Sequence, residues 1–273
     1  MPSSLTFCER GTRSMQHHES KACGGRRVLV TGASRGIGAA VARRFAEEGA
    51  AVAVAARSAD AISALAAELG RAGSPALAVE ADMTDRASLD VLIDRVADEF
   101  GGLDVLVNNA GVLPAATRAE NVSWADWDTT IQLNLSTPWY LACRAKALMG
   151  SGGVVVNNAS TAAYFPSRGL AAYNVSKSAL LMLTRVLALE WAREGIRVVG
   201  VAPGKIDTAL VEPILRWTEK HELPLNPLRR IGTEAEVADL IAFLASDRAS
   251  YITGVTVPID GGELLTAGSE AGR

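Results

Sequence analysis

The chain has 273 residues, 49% hydrophobic and 21% charged, the balance of a globular protein with a large apolar core. Its formal net charge of −3 gives no general pull toward nucleic acid or anionic membrane, and no apolar run approaches the ~18 residues of a membrane span. Cys8, Cys23 and Cys143 are scattered without a CxxC, and the histidines are only His17, His18 and His221, so neither a disulfide frame nor a metal site is expected. Residues 1–25 are polar and aperiodic, without the apolar stretch of a secretory signal. They read as a disordered extension, with Met15 as an alternative start.

From Arg26 the pattern is regular. RRVLVTGAS is a short apolar strand ending in a turn. AAVARRFAEEG is an amphipathic helix closed by Gly49. AAVAVAA is a second strand, and SADAISALAAELGRAG a helix with Ser58 placed to cap it. PALAVEAD is a third strand, followed by a helix with Thr84 as its expected N-cap. LDVLVNNAG is a fourth strand, and residues 123–150 are expected to form one long helix. GGVVVNNAS is a fifth strand, and AAYNVSKSALLMLTRVLALEWAREG a long, strongly apolar helix. IRVVGVAPG is a sixth strand, TEAEVADLIAFLASDR a late helix, and ITGVTVPIDGG a last short strand.

Strands whose runs are continuously apolar are covered on both faces. Alternating with helices, they predict an α/β fold: a single Rossmann-type, doubly wound parallel seven-stranded sheet with helices on both faces. The expected order is 3-2-1-4-5-6, with the seventh strand beyond. No linker or repeat divides residues 26–273, so one domain is expected there.

The first strand ends in Thr31-Gly32-Ala33-Ser34-Arg35-Gly36-Ile37-Gly38, directly before a helix. Glycines remove Cβ atoms where backbone must approach a pyrophosphate, and the helix N-terminus offers it free N–H groups. The strand–turn–helix context makes this a dinucleotide loop. An acidic residue after the second strand would bind a ribose 2′-hydroxyl, as NAD requires. Here the strand ends Val54-Ala55-Ala56 and Arg57 follows. With Arg35 it supplies two guanidinium groups for a 2′-phosphate, so NADP(H) is expected over NAD(H).

The same loop contains a literal GxSxG around Ser34, the nucleophile elbow of α/β-hydrolases. A hydrolase also needs a His as general base, and the only downstream histidine is His221, in a Pro-rich segment. The hydrolase reading is therefore disfavoured.

Tyr173 and Lys177 stand at i and i+4 on the long apolar helix, one turn apart on one face. A phenol near its reference pKa of ~10 is a poor base, and a neighbouring ammonium is expected to lower it. Ser160 ends the fifth strand, facing the crevice where ligands sit in such sheets.

With these residues in view, the sequence resembles the short-chain dehydrogenase/reductase family from about Arg26 to Gly262. Residues 31–38 resemble its TGxxxGxG loop, and Asn108-Asn109-Ala110-Gly111 its NNAG element. Asp82, with Met83 beside it, falls at its adenine-contacting acid. Asn134, Ser160, Tyr173 and Lys177 match its four catalytic positions. Pro203-Gly204, with Ile206 and Thr208, resembles its nicotinamide-carboxamide segment. The resemblance implies that Tyr173 exchanges a proton with the substrate oxygen and that Ser160 holds that oxygen. Lys177 would bind nicotinamide-ribose hydroxyls, and Asn134 would anchor a water leading from Lys177 to solvent. It further implies a carbonyl/alcohol oxidoreductase for a small molecule. The alternatives are a 3-oxoacyl-carrier-protein reductase specifically, or a non-catalytic dinucleotide-binding regulator.

Substrate choice is expected in residues 207–232, a lid segment with Arg216, Trp217, Lys220, His221, Arg229 and Arg230, and in Val112–Trp127 opposite. Trp139, Leu141, Leu180, Leu181, Leu183 and Leu187 exceed the apolar surface that one sheet face needs. A homotetramer, or failing that a dimer, is expected, with a cytoplasmic location.

Overall fold

A computed structural model of the chain describes residues 22–208 and 226–266. Met15, His17 and His18 lie outside the described residues, as do Arg216, Trp217, Lys220 and His221. Residues 22–25, expected in the extension, form a turn packed on the fold. Cys23 is buried there, and Gly25 N–H donates to the Gly49 carbonyl.

Seven strands form one sheet: β1 (Arg27–Thr31), β2 (Ala51–Ala56), β3 (Ala76–Glu80), β4 (Val105–Asn108), β5 (Val154–Asn158), β6 (Arg197–Pro203) and β7 (Thr256–Ile259). Their order is β3-β2-β1-β4-β5-β6-β7, with every neighbouring pair parallel. The seventh strand lies beside the sixth, as the sequence predicts.

Side chains of a strand alternate between faces, so each strand feeds two cores. Val28, Val30, Val105, Val107, Val154 and Val156 pack on α1 (Gly36–Glu47), α2 (Ala59–Arg71) and α7 (Glu234–Ala245). Leu29, Leu106, Val155 and Val198 pack on α3 (Arg86–Phe100), α5 (Thr137–Lys146) and α6 (Ala171–Trp191). A helix on each face is why the strand runs are apolar without alternation.

Four local expectations change. Thr84 does not cap α3; its N–H and hydroxyl both donate to Asp82 Oδ1 at 2.8 Å. Asp85 takes the cap, accepting from Ala87 N and Ser88 N. Ser58 occupies the N-cap position of α2 but makes no side-chain capping bond. The helix expected over 123–150 is divided into α4 (Trp124–Ile131), a π-helical turn over Gln132–Ser136, and α5. Pro138 explains the π turn: it has no N–H for the Asn134 carbonyl, and its ring crowds that carbonyl.

The fourth change concerns the apolar surface expected to pair subunits. Leu141 and Leu187 are buried against the sheet, Leu180 and Leu181 are buried in a small cluster with Ala159, Leu183 is partly buried, and only Trp139 of this set is exposed. The exposed apolar residues of α6 are instead Val175, Met182, Val186 and Leu189, which helical spacing places along one outer stripe.

Candidate functional site

The glycine turn is built from backbone and from one buried hydroxyl. Thr31 Oγ1 donates to the Val107 carbonyl and accepts from the N–H groups of Asn109 and Ala110, tying the ends of β1 and β4. Asn109 Nδ2 donates to the carbonyls of Thr31 and Gly32 at 3.0 and 3.2 Å. Chain then turns through Ala33, Ser34 and an extended Arg35 into α1. A Cβ on Gly38 would collide with the Gly32 carbonyl oxygen and Asn109 Nδ2, so only glycine lets α1 lie this close to the strand end. Gly36, at φ 65°, begins α1; a Cβ there would stand at van der Waals distance from Glu234 Oε1 and Thr208 Cγ2.

The first N–H groups of a twelve-residue helix and its positive dipole end thus lie at the glycine turn. This fits the diphosphate of a dinucleotide. Ile37 lies partly buried in the first turn of α1 and packs against the core. Ser34 is partly buried and Arg35 exposed. Arg57 follows β2, exposed, and no carboxylate ends that strand. Asp82 lies near enough to Arg57 to feel its charge. The Thr84 donors, and then Arg57, hold the Asp82 carboxyl below its ordinary range. Met83 is buried beside it, and its carbonyl accepts from Thr137 Oγ1 at 2.5 Å.

The second half of the site lies at the ends of β4 and β5. The bare face of Gly111 sits against Asn134 Oδ1 and Lys177 Nζ, 3.1 and 3.6 Å from where a Cβ would stand. Asn134 is fully buried in the π turn. Its Oδ1 accepts from Val112 N, while its Nδ2 donates to the Val112 carbonyl and to Ser176 Oγ. Ser160 follows β5 and caps a short 3₁₀ turn, accepting from Ala162 N at 3.2 Å. Its hydroxyl lies close enough to the phenol of Tyr173 to favour the charged form of that group. Lys177 is buried, with Nζ 5.8 Å from the Tyr173 ring centre and donating to the Asn158 carbonyl at 2.8 Å.

The electrostatics correct one expectation. The phenol of Tyr173 is pushed up from its ordinary value by burial, opposed by the nearby Ser160 hydroxyl. Lys177 is pushed down to about 8, also by burial. The crevice therefore desolvates both groups and disfavours the charged form of each. At neutral pH the phenol is a proton donor, and the lysine loses its proton more readily than a surface lysine.

Pro203 ends β6, and Gly204 N–H donates to the Ile259 carbonyl at 3.0 Å. Ile206 is buried and bridges to Gly232, and Thr208 stands over Gly36. Of the expected lid, residues 209–225 lie outside the described residues. The opposite wall has a cavity of about 200 Å³ lined by Val112, Pro114, Thr117, Asp126, Gly169 and Ala172 among others, directly before Tyr173 in α6.

Sequence reading missed several supports. Asn108 Nδ2 donates to Asn157 Oδ1, Asn157 Nδ2 to Thr184 Oγ1, and Asn158 Nδ2 to Asn109 Oδ1. The paired Asn108-Asn109 and Asn157-Asn158 at two strand ends were the available signal. Lys205 pairs with Glu263 at 2.5 Å, and Glu263 also accepts from Thr161 Oγ1. These joints cross 58 and 102 residues of sequence, so no local pattern announces them. Among the described residues no helix is long and apolar enough to cross a membrane, and no three His, Cys, Asp or Glu side chains gather as a metal site.

Comparison with known proteins agrees in kind. A family model described as enoyl-(acyl carrier protein) reductase matches residues 32–263. The chain is 37% identical over 260 residues to 3beta-hydroxysteroid dehydrogenase 1 of Eggerthella lenta, covering 91% of this chain and 97% of that protein. It is 40% identical over 242 residues to D-threitol dehydrogenase of Mycolicibacterium smegmatis, covering 87% and 92%. A crystal structure of a short chain dehydrogenase from Burkholderia cenocepacia in complex with NADP superposes with a TM-score of 0.83. That protein is 35% identical, and the match covers 89% of this chain and 99% of it.

Proposed function

Because the chain belongs to the short-chain dehydrogenase/reductase family, as an oxidoreductase between alcohols and carbonyl compounds, we propose that it is NADP(H)-dependent, with Tyr173 as general acid and base. The observation that carries the reading is the convergence of Ser160, Tyr173, Lys177 and the Asn134–Gly111 contact at one end of the sheet, on the same edge as the glycine turn. The substrate class is a small molecule with a secondary hydroxyl or ketone, as the names of the relatives suggest.

The chain's own groups divide the work. Gly32, Ser34, Gly36, Ile37 and Gly38 present backbone to the diphosphate. Arg35 and Arg57 meet a 2′-phosphate, which favours NADP(H) while leaving NAD(H) admissible. Asp82 and Met83 border the adenine. Asn109, Ala110 and Gly111 floor the middle of the crevice, and Pro203, Gly204, Ile206 and Thr208 border the nicotinamide end. When bound, the dinucleotide supplies or accepts the hydride. Ser160 Oγ orients the substrate oxygen. Tyr173 Oη gives its proton to that oxygen in reduction and takes one back in oxidation. Lys177, near its own titration at about 8, hands a proton toward Tyr173. Asn134 holds Val112 in place beside Lys177 and stands where a water relay to solvent would begin.

Residues 26–273 act in this reading as one catalytic unit. The outer stripe of α6 and Trp139 support association into a dimer or tetramer. Cys23 and Cys143 are free thiols, which supports a reducing, cytoplasmic setting. The test is Tyr173→Phe. Turnover of NADPH with a panel of ketones should vanish while NADPH binding stays near that of the unmodified chain; unchanged turnover would refute the assigned chemistry.

A further inference from the structure

Resting on the dinucleotide-binding reading above, we propose that Glu234 is a charge-based control on dinucleotide affinity. Its carboxylate borders the diphosphate cradle and opposes the anion bound there until a proton neutralises it.

The fold brings Glu234 to this place by three joints. Ile206 bridges to Gly232, and Asp207 N–H donates to the Gly232 carbonyl at 2.9 Å, so the start of α7 is fixed beside the segment after β6. Thr233 caps α7 in a reciprocal capping box with Glu236, which aims the first turn. Helix α7 then packs along α1. The result sets Glu234 Oε1 3.7 Å from the point where a Cβ on Gly36 would stand, on the side that Thr208 also borders. Gly36 is the first residue of α1, so this point lies at the end of the helix whose free N–H groups invite an anion. A carboxylate is the wrong sign of neighbour for that anion.

The charges around Glu234 do not cancel it. From α1, Arg43 faces it but grips Glu68 of α2 through two bonds of 2.7 and 2.9 Å. From the segment after β6 comes Asp207, a like charge. On its own helix, Glu236 is held by Arg230. Arg35, in the glycine turn, is exposed. Among the described residues no basic side chain forms an ion pair with Glu234. Partial burial and Asp207 hold its carboxyl above the ordinary range, against the pull of Arg43. An arriving diphosphate adds negative charge on the same side and raises it further, so binding takes up a proton. Ionised Glu234 then speeds release, and protonated Glu234 retains the dinucleotide.

The test measures the Kd of NADPH by fluorescence titration of the full chain, unmodified and as Glu234→Gln, at pH ~8 and pH ~5. The ratio between the two proteins cancels titration of the 2′-phosphate, which is common to both. Glu234→Gln should bind about threefold to tenfold tighter at pH ~8, and the ratio should fall toward one at pH ~5. Asp207→Asn removes the like charge, so weakening of the otherwise unmodified chain should set in at lower pH. A ratio of one at both pH values, or the same ratio at both, overturns the proposal. Should Glu234→Gln not fold, an unshifted Asp207→Asn profile overturns it instead. If the unmodified chain binds neither NADPH nor NADH at either pH, the dinucleotide reading falls first and this one with it.

Discussion

The two ends of the crevice are built in opposite ways. At the glycine turn the working parts are backbone N–H groups and missing Cβ atoms, and the one side chain at its centre, Thr31, is consumed by internal bonds. At the β5–α6 end the working parts are side chains from three separate elements, brought together by packing, with their proton affinities moved by burial. The first end is suited to an anion by shape and dipole, and its backbone groups do not themselves titrate. The second, in the proposed reading, does proton chemistry, and its groups are costly to hold. An anion cradle works best with no charge of its own to desolvate, whereas an acid–base pair must be partly desolvated to be useful.

The contrast can be broken most sharply at Tyr173. Replacing it by Phe should lower kcat by about 10²–10⁴-fold with the dinucleotide Kd little changed. A comparable loss of binding would mean the two ends are not separable.

Next is the cost of Lys177. Its pKa falls from 10.5 to about 8 on burial, which at 1.36 kcal/mol per pH unit is a penalty of about 3 kcal/mol at neutral pH. Because the unfolded chain holds this proton more tightly, the penalty is complete below the folded value and disappears as pH rises through the unfolded one. Lys177→Met should therefore unfold in urea with a gain of up to about 3 kcal/mol at pH ~7, shrinking to about half by pH ~9.5. A gain that stays constant with pH would assign the effect to methionine packing rather than to the ammonium.

At the backbone end, Gly38→Ala should lose about 2 kcal/mol of stability even after alanine's helix advantage of about 1 kcal/mol, because its methyl meets the Gly32 carbonyl. Urea denaturation reads this directly, and a stabilised variant would show that α1 can slide away from the strand end. The smallest expected effect is at the rim. Arg57→Ala should reduce the preference for NADPH over NADH in kcat/KM by about tenfold. An unmodified chain that prefers NADH would overturn the role of both arginines.

Much of the backbone end was legible in the chain. Gly32, Gly36 and Gly38 sit at a strand–helix junction, and sterics at such a junction admit few readings. The parallel sheet and its order followed from apolar runs alternating with amphipathic helices, since only cover on both faces removes the polar alternation. The capping of α3 was misassigned because Thr84 and Asp85 are both good caps locally, and the choice was made by Asp82 engaging Thr84 first. The π turn had a local sign in Pro138, four residues after Asn134.

By itself, then, the sequence determined the glycine-bearing strand–helix junction and the order in which the strands assemble, because sterics and hydrophobic periodicity act over a few residues at a time. Tertiary structure alone decided the protonation tendencies of Tyr173 and Lys177, the inward turn of the leucines of α6, and the placing of Glu234 against Gly36. These depend on burial and on distances between elements remote in sequence, and both quantities exist only once the chain has closed on itself.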